Sequence, residues 1–259
     1  MEVSGTVEAL GDGVTAPAVG TRVAVFAGHG GLAEFGVFPA ARALPIPDAM
    51  SFTQAAAFMV AYGTSHLALS HRAKLEAGER LLVLGAAGGV GLTAVELGAL
   101  MGAEVIAVAR GPEKLAVAAS AGARHLIDSE SADIRAEVRA LGGADVVYDA
   151  VGGAAFDAAL RATRPEGRIL SIGFASGEVP QVPANILLVK NITVMGFYWG
   201  GYLGFAPETL TASLSELMAL FEAGRISPHV SATFPLAEAE RALELLRSRA
   251  STGKVVVTI

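Results

Sequence analysis

Residues 80–91 read Arg-Leu-Leu-Val-Leu-Gly-Ala-Ala-Gly-Gly-Val-Gly, an apolar run that breaks into glycines. Residues 81–84 suit a short strand buried on both faces, and residues 92–101 continue at helical spacing. Gly88, Gly89 and Gly91 sit at the turn, with Ala86 where the first glycine of a G-x-G-x-x-G pattern would stand. Glycine suits such a turn because a Cβ would hold the backbone away from a diphosphate, and free N–H groups at a helix start attract an anion. Ala87, Gly88, Gly89, Val90 and Gly91 are therefore candidate contacts to a dinucleotide diphosphate. A tight turn of no special function would carry the same glycines. What separates the two readings is context: a strand before, a helix after, and a second apolar strand at residues 105–108.

The end of that second strand bears on which dinucleotide it would be. It reads Val108-Ala109-Arg110-Gly111-Pro112-Glu113-Lys114, with no acid at the strand end to take a ribose 2′-hydroxyl. Arg110 and Lys114 could meet a 2′-phosphate with two positive charges, which favours NADP(H) over NAD(H). Two alternatives stand beside it: both cations as solvated surface charges, and Glu113 turned inward toward a ribose.

Other chemistries lack their residues. The chain has no cysteine, so a disulfide framework, a thiolate nucleophile and a cysteine zinc site are excluded. His66 and His71 are five apart and point to different helix faces, and His29, His125 and His229 have no paired ligand spacing, so no metal is expected. Ser65 and His66 are adjacent, so their side chains diverge, and no G-x-S-x-G elbow presents a serine. Asp145 and Asp149 flank an apolar strand, where a lone acid more often caps a turn than catalyses. The formal charge of −6 is spread along the chain, with no basic face for nucleic acid or anionic lipid. No apolar stretch is long and uninterrupted enough to span a bilayer, and residues 1–5 lack the basic and apolar parts of a signal peptide. A soluble cytoplasmic protein is expected.

The elements that must position these residues can be read around them. Residues 3–7, 22–27 and 35–37 read as strands separated by glycine and proline, an all-β segment. Ser51-Phe52-Thr53-Gln54 offers a capping box, and residues 55–70 read as a helix leading to the next region. From there strands (81–85, 105–108, 125–127, 146–148, 168–172) alternate with helices (89–101, 112–121, 132–141, 156–163). Such alternation predicts an α/β fold with a doubly wound parallel sheet. A strand at 192–196, helices near 209–222 and 236–249, and a strand at 255–259 complete the expectation.

Several motifs together resemble the zeta-crystallin-like, zinc-free quinone oxidoreductase branch of the medium-chain dehydrogenases/reductases. They are Ala86-Ala87-Gly88-Gly89-Val90-Gly91, Val147-Tyr148-Asp149-Ala150-Val151-Gly152-Gly153, Gly167-Arg168-Ile169-Leu170-Ser171-Ile172-Gly173-Phe174 and Leu188-Val189-Lys190-Asn191. Gly20-Thr21-Arg22-Val23, Gly31-Leu32-Ala33-Glu34 and Gly253-Lys254-Val255-Val256 extend the likeness over essentially the whole chain. The resemblance implies a Rossmann domain inserted in a partial GroES-like β domain, with divisions at 1–60, 61–200 and 201–259. Met1-Glu2-Val3-Ser4-Gly5-Thr6-Val7 resembles an internal strand of that family, so a preceding segment that lines the substrate cleft is expected to be missing. Unpaired apolar edges, and with them poor solubility, are the expected consequence.

The resemblance also implies NADPH as hydride donor, a quinone or enone as acceptor, and a homodimer. Tyr62 and Thr64 resemble a Tyr-x-Thr segment beside the nicotinamide, with packing between domains as the alternative for Tyr62. Val151, Gly152, Ile172, Gly173 and Phe174 fall at strand ends, where open sheets bind cofactors. Phe197 and Trp199 follow another strand and would suit a flat quinone, with core packing as the alternative, and Lys190 and Asn191 are placed near the cofactor by resemblance alone. Hydride transfer needs positioning and exclusion of water more than an acid or base, so no catalytic residue is assigned. An enoyl or 2-alkenal reductase, or a coenzyme-binding protein without turnover, remain alternatives.

Overall fold

The computed structural model describes the whole of Met1–Ile259. Strands β1 (Glu2–Thr6), β2 (Arg22–Phe26) and β3 (Ala43–Pro45) precede helices α1 (Phe52–Ala56) and α2 (Met59–His66). An alternating run follows: β4 (Arg80–Leu84), α3 (Gly89–Leu100), β5 (Glu104–Ala109), α4 (Gly111–Ser120), β6 (His125–Asp128), α5 (Ile134–Ala140), β7 (Ala144–Asp149), α6 (Gly153–Ala162) and β8 (Thr163–Ser171). Then come α7 (Ala184–Lys190), β9 (Thr193–Gly196), α8 (Tyr202–Phe205), α9 (Pro207–Glu222), β10 (Val230–Pro235), α10 (Ala239–Arg247) and β11 (Lys254–Thr258). The chain divides into two compact units, Met1–Gly63 with Thr211–Ile259, and Thr64–Leu210. The divisions fall after Gly63 and Leu210 rather than at 60 and 200. No helix is long and apolar enough to cross a membrane.

In the first unit β2 is the middle strand of an antiparallel sheet, with β1 on one side and β3 on the other. Both edges of β2 are therefore occupied, and residues 35–37, expected as a strand, have no partner to pair with. Phe35 and Val37 lie exposed instead. Ser51 caps α1 in the expected box with Gln54. The side chain of Glu2, almost wholly buried, accepts the Val60 N–H at 2.7 Å through one oxygen and pairs with Lys254 at 2.7 Å through the other. One carboxylate thus ties β1 to the first turn of α2 and to β11, which itself pairs in parallel with β10.

The second unit is built on a six-stranded parallel sheet in the order β6-β5-β4-β7-β8-β9. The connections reverse direction between β4 and β7, so the carboxyl ends of these two strands flank the crevice in which doubly wound sheets take ligands. Leu82, Leu84, Ile106, Val108, Val147 and Ile169 pack with Val138 of α5 and with Phe156 and Leu160 of α6, all buried. Each such side chain contributes about 1.5–3 kcal/mol on leaving water. At the amino edge, the Arg168 guanidinium donates to the carbonyls of Ala73 (3.0 Å) and Lys74 (3.2 Å) and to both oxygens of Glu79 (2.6 and 2.8 Å). It closes the widened helical turn Leu67–Arg72 that continues α2.

Candidate functional site

The glycine turn is shaped by backbone contact. Gly85 has φ +72°, which favours glycine, and its carbonyl accepts the Gly88 N–H at 2.9 Å. Gly88 then caps α3, its own carbonyl accepting the Leu92 N–H at 2.8 Å. The amides of Gly89, Val90 and Gly91 have no acceptor within the helix because they belong to its first turn. A Cβ on Gly91 would overlap the Gly85 carbonyl oxygen and lie 2.8 Å from its carbon and 3.1 Å from the Ala86 Cα. The first turn of α3 is thus pressed onto the loop after β4 as closely as backbone allows, leaving an open row of amides. That is the cradle a diphosphate needs.

Next to it, the loop after β7 is organised by Asp149. Its Oδ1 accepts the N–H groups of Val151 (2.8 Å) and Gly152 (2.9 Å), and its carbonyl accepts those of Ile172 (2.8 Å) and Gly173 (3.3 Å). Ala150 and Val151 in turn accept from Ala175 (3.1 Å) and Ser176 (2.9 Å), so the loops after β7 and β8 are zipped together. Gly152 has φ +74°, and a Cβ there would lie 2.6 Å from the Glu178 carbonyl oxygen. Asp149 is fully buried, its Oδ2 has no hydrogen-bond partner, and burial raises its carboxyl pKa against the lowering effect of the two amides. The strand-end acid caps a turn, and Val151, Gly152, Ile172, Gly173 and the half-exposed Phe174 line one continuous edge.

At the end of β5, Arg110 caps α4, and the Gly111 N–H donates to Asp128 Oδ1 at 3.0 Å. Asp128, at the end of β6, also takes the Glu130 N–H at 3.0 Å, and these amides hold its carboxyl below the ordinary range. The sequence offered no sign that this acid would sit beside Arg110, because its strand is paired with β5 only in the folded sheet. Lys114 is partly buried. Its pKa is lowered first by desolvation and then by the Arg110 charge, with Glu130 acting in the opposite direction.

Of four further expected site residues, two lie at the other end of the sheet and two are interior. Lys190 Nζ donates to the carbonyls of Leu160 (3.3 Å) and Arg161 (3.2 Å), the last turn of α6, and its pKa is lowered by desolvation and by Arg139 and Arg135. Asn191 is the left-handed cap of α7, at φ 53°. Both immediately precede β9 and so lie at the amino edge of the sheet, opposite the loops described above, because every strand runs the same way. Phe197 (8% exposed) and Trp199 (4%) are interior, whereas the intervening Tyr198 is 76% exposed. The alternation around a chain bend turns one aromatic ring outward, and it is not one of the two expected. Tyr62 and Thr64 are both buried, and Tyr62 stacks on Phe58 of the same unit with ring centroids 4.7 Å apart. No group of three or more histidine, aspartate or glutamate side chains is placed to hold a metal ion.

The alcohol dehydrogenase GroES-like domain model matches residues 1–48, and the zinc-binding dehydrogenase model matches residues 89–221. The chain is 42% identical over 262 residues to quinone oxidoreductase-like protein 2 homolog of Nematostella vectensis, covering 99% of this chain and 72% of that protein. Against quinone oxidoreductase-like protein 2 of Bos taurus the identity is 39%, with 100% and 75% covered. Among solved structures, Escherichia coli quinone oxidoreductase complexed with NADPH superposes with a TM-score of 0.91 at 31% identity, covering 100% of this chain and 81% of that one. A mycobacterial protein complexed with NADPH gives 0.93 at 32%, with the same coverage. By sequence and by fold, this chain belongs to the quinone oxidoreductase-like branch of the medium-chain dehydrogenase/reductase superfamily.

Proposed function

We propose that this protein is an NADPH-dependent, zinc-independent oxidoreductase that reduces a quinone. The observation that carries the coenzyme is the Gly88–Gly91 turn, whose three first-turn amides stand open over a backbone contact that tolerates no Cβ at Gly91. Ala87, Gly88, Gly89, Val90 and Gly91 hold the diphosphate, and Arg110 with Lys114 takes the 2′-phosphate. Val151, Gly152, Ile172, Gly173 and Phe174 flank the nicotinamide half, with Thr64 behind them. Bound NADPH supplies a hydride from its nicotinamide ring. The chain's own part is orientation: fixed amides and two cations hold the coenzyme in register along the carboxyl edge, and Phe174 and Tyr198, each with an exposed ring, are available to an acceptor. No side chain of this edge is required as acid or base.

A second acceptor class has its own support. The CurK enoyl reductase matches with a TM-score of 0.88 at 29% identity, and an activated alkene asks for the same hydride geometry. Loss of nicotinamide absorbance, followed with a quinone and separately with an enone, decides between them. Turnover of neither, with NADPH bound, identifies a coenzyme-binding protein without activity. We place the protein in the cytoplasm, on its acidic, cysteine-free composition, and as a homodimer. The latter is supported by the open edge of β9 and the exposed Leu188 and Val189 of α7. Sedimentation at a single monomeric mass across the micromolar range overturns it.

A further inference from the structure

A knot of three buried hydroxyls lies under the glycine turn. Ser65 Oγ, at the end of α2, donates to the Val90 carbonyl at 2.9 Å and lies 2.8 Å from Thr93 Oγ1 and 3.0 Å from the Tyr148 hydroxyl. Thr93 Oγ1 is 3.0 Å from the same Val90 carbonyl. Ser65 and Tyr148 are fully buried. Each hydroxyl has one proton, which orders the chain. Val90 O can only accept, and Ser65 and Thr93 both reach it; with the Ser65 proton placed there, the shorter of the two contacts, Ser65 Oγ accepts from its neighbours. Burial drives the Tyr148 pKa up, so the phenol stays protonated and donates to Ser65. In that arrangement the bonds run in one direction, from Tyr148 through Ser65 to Val90.

The acceptor at the end of this chain belongs to a peptide unit that matters. The Val90 carbonyl and the Gly91 N–H are two ends of one amide, and that N–H is among the three open donors of the α3 turn. A hydrogen bond to a carbonyl draws charge across its amide and makes the N–H a stronger donor, and successive hydroxyls reinforce one another in a dry interior. We propose that Ser65 and Tyr148 are positioning residues for coenzyme binding, which fix and polarise the Val90–Gly91 amide that receives the diphosphate. This rests on the NADPH reading given above. The arrangement joins residues from α2, α3 and β7.

The test uses the full chain and two readouts, melting temperature and NADPH dissociation constant, with the amide nitrogen shift of Gly91 as a third. Ser65→Ala is expected to weaken NADPH about tenfold, because the Val90–Gly91 amide loses its anchor as well as its polarisation, and to lower the melting temperature because the buried Tyr148 hydroxyl is stranded. Tyr148→Phe keeps the shape and is expected to weaken NADPH two- to fivefold and to shift the Gly91 amide. The double variant removes the stranded hydroxyl, so its melting temperature recovers while the tenfold weaker binding persists. Affinity that recovers together with melting temperature, or Tyr148→Phe binding NADPH within the error of the parent chain with Gly91 unmoved, overturns the proposal. A parent chain that binds no NADPH overturns the coenzyme reading, and this one with it.

Discussion

Replacing Gly91 by alanine tests the cradle at its tightest point. Gly91 lies in the first turn of α3 with ordinary helical backbone, so alanine there gains roughly 1 kcal/mol of helix propensity. Against this stands the Cβ. It would overlap the Gly85 carbonyl oxygen, and moving the Gly85 carbon from 2.8 Å to an ordinary 3.4 Å contact takes at least 3.4 − 2.8 = 0.6 Å of backbone displacement. No rotamer relieves a backbone clash, and overpacking of this kind costs about 1–3 kcal/mol, so a net destabilisation of roughly 1 kcal/mol is expected. The displaced atoms carry the diphosphate amides, and since a misplacement near 1 Å costs on the order of a hundredfold, NADPH affinity should fall by about 10- to 100-fold. Gly98 on the same helix is the matched comparison. A Cβ there meets the Leu81 Cδ2 methyl, the far end of a rotatable side chain, so Gly98→Ala should alter melting but leave NADPH binding within about twofold. Nicotinamide fluorescence titrations and thermal melts of both variants decide the matter. Gly91→Ala binding as tightly as the parent chain, or Gly98→Ala losing as much affinity as Gly91→Ala, refutes the reasoning.

Three further outcomes are expected. Arg110→Ala should weaken NADPH by about tenfold and NADH by less than twofold, in parallel titrations; equal losses would remove the 2′-phosphate assignment. Glu79 has its carboxyl pKa lowered chiefly by the hydrogen bond from Arg168, so its stabilising effect is complete above the unfolded value near 4.3 and is lost as the pH falls through the lower folded value. Glu79→Gln should therefore lower stability at neutral pH and flatten the acid side of a urea-melt pH series; an unchanged acid limb would argue against it. Lys190→Ala removes a cation from the α6 carboxyl end, where it opposes the helix dipole but also repels Arg135 and Arg139, so stability should move by no more than about 1 kcal/mol with the NADPH dissociation constant unchanged. A several-fold loss of affinity would return Lys190 to the coenzyme site.

Much of the fold was legible along the chain because its signals are local. The apolar run of β4, the glycines after it and the resumption of helical spacing specify strand, turn and helix without help from distant residues, and their alternation with further strands implies a parallel sheet. The misreadings have equally local causes. Residues 35–37 are apolar yet find no edge to pair with, while Ala43–Pro45 takes the third place beside β2. Helix α7 begins after Pro183 with no side-chain cap, and β10 is an alternating run of weak hydrophobicity, so neither announces itself.

The candidate site divides along the same line. The run of glycines at 88, 89 and 91 marked by itself where a backbone cradle could form, and at Gly91 only an absent Cβ permits the approach. Which charged and aromatic groups face it was settled by the direction of the strands. Lys190 and Asn191 end at the amino edge because β9 starts there, Tyr198 rather than Trp199 turns outward, and Asp128 arrives beside Arg110 through pairing of β6 with β5. Ser65 and Tyr148, 83 positions apart, meet under the turn only once β7 lies next to β4 and α2 is laid against α3. Periodicity and glycine content act over a few residues and can be read from order alone, whereas a hydrogen bond between distant hydroxyls exists only where packing has brought them together and excluded water.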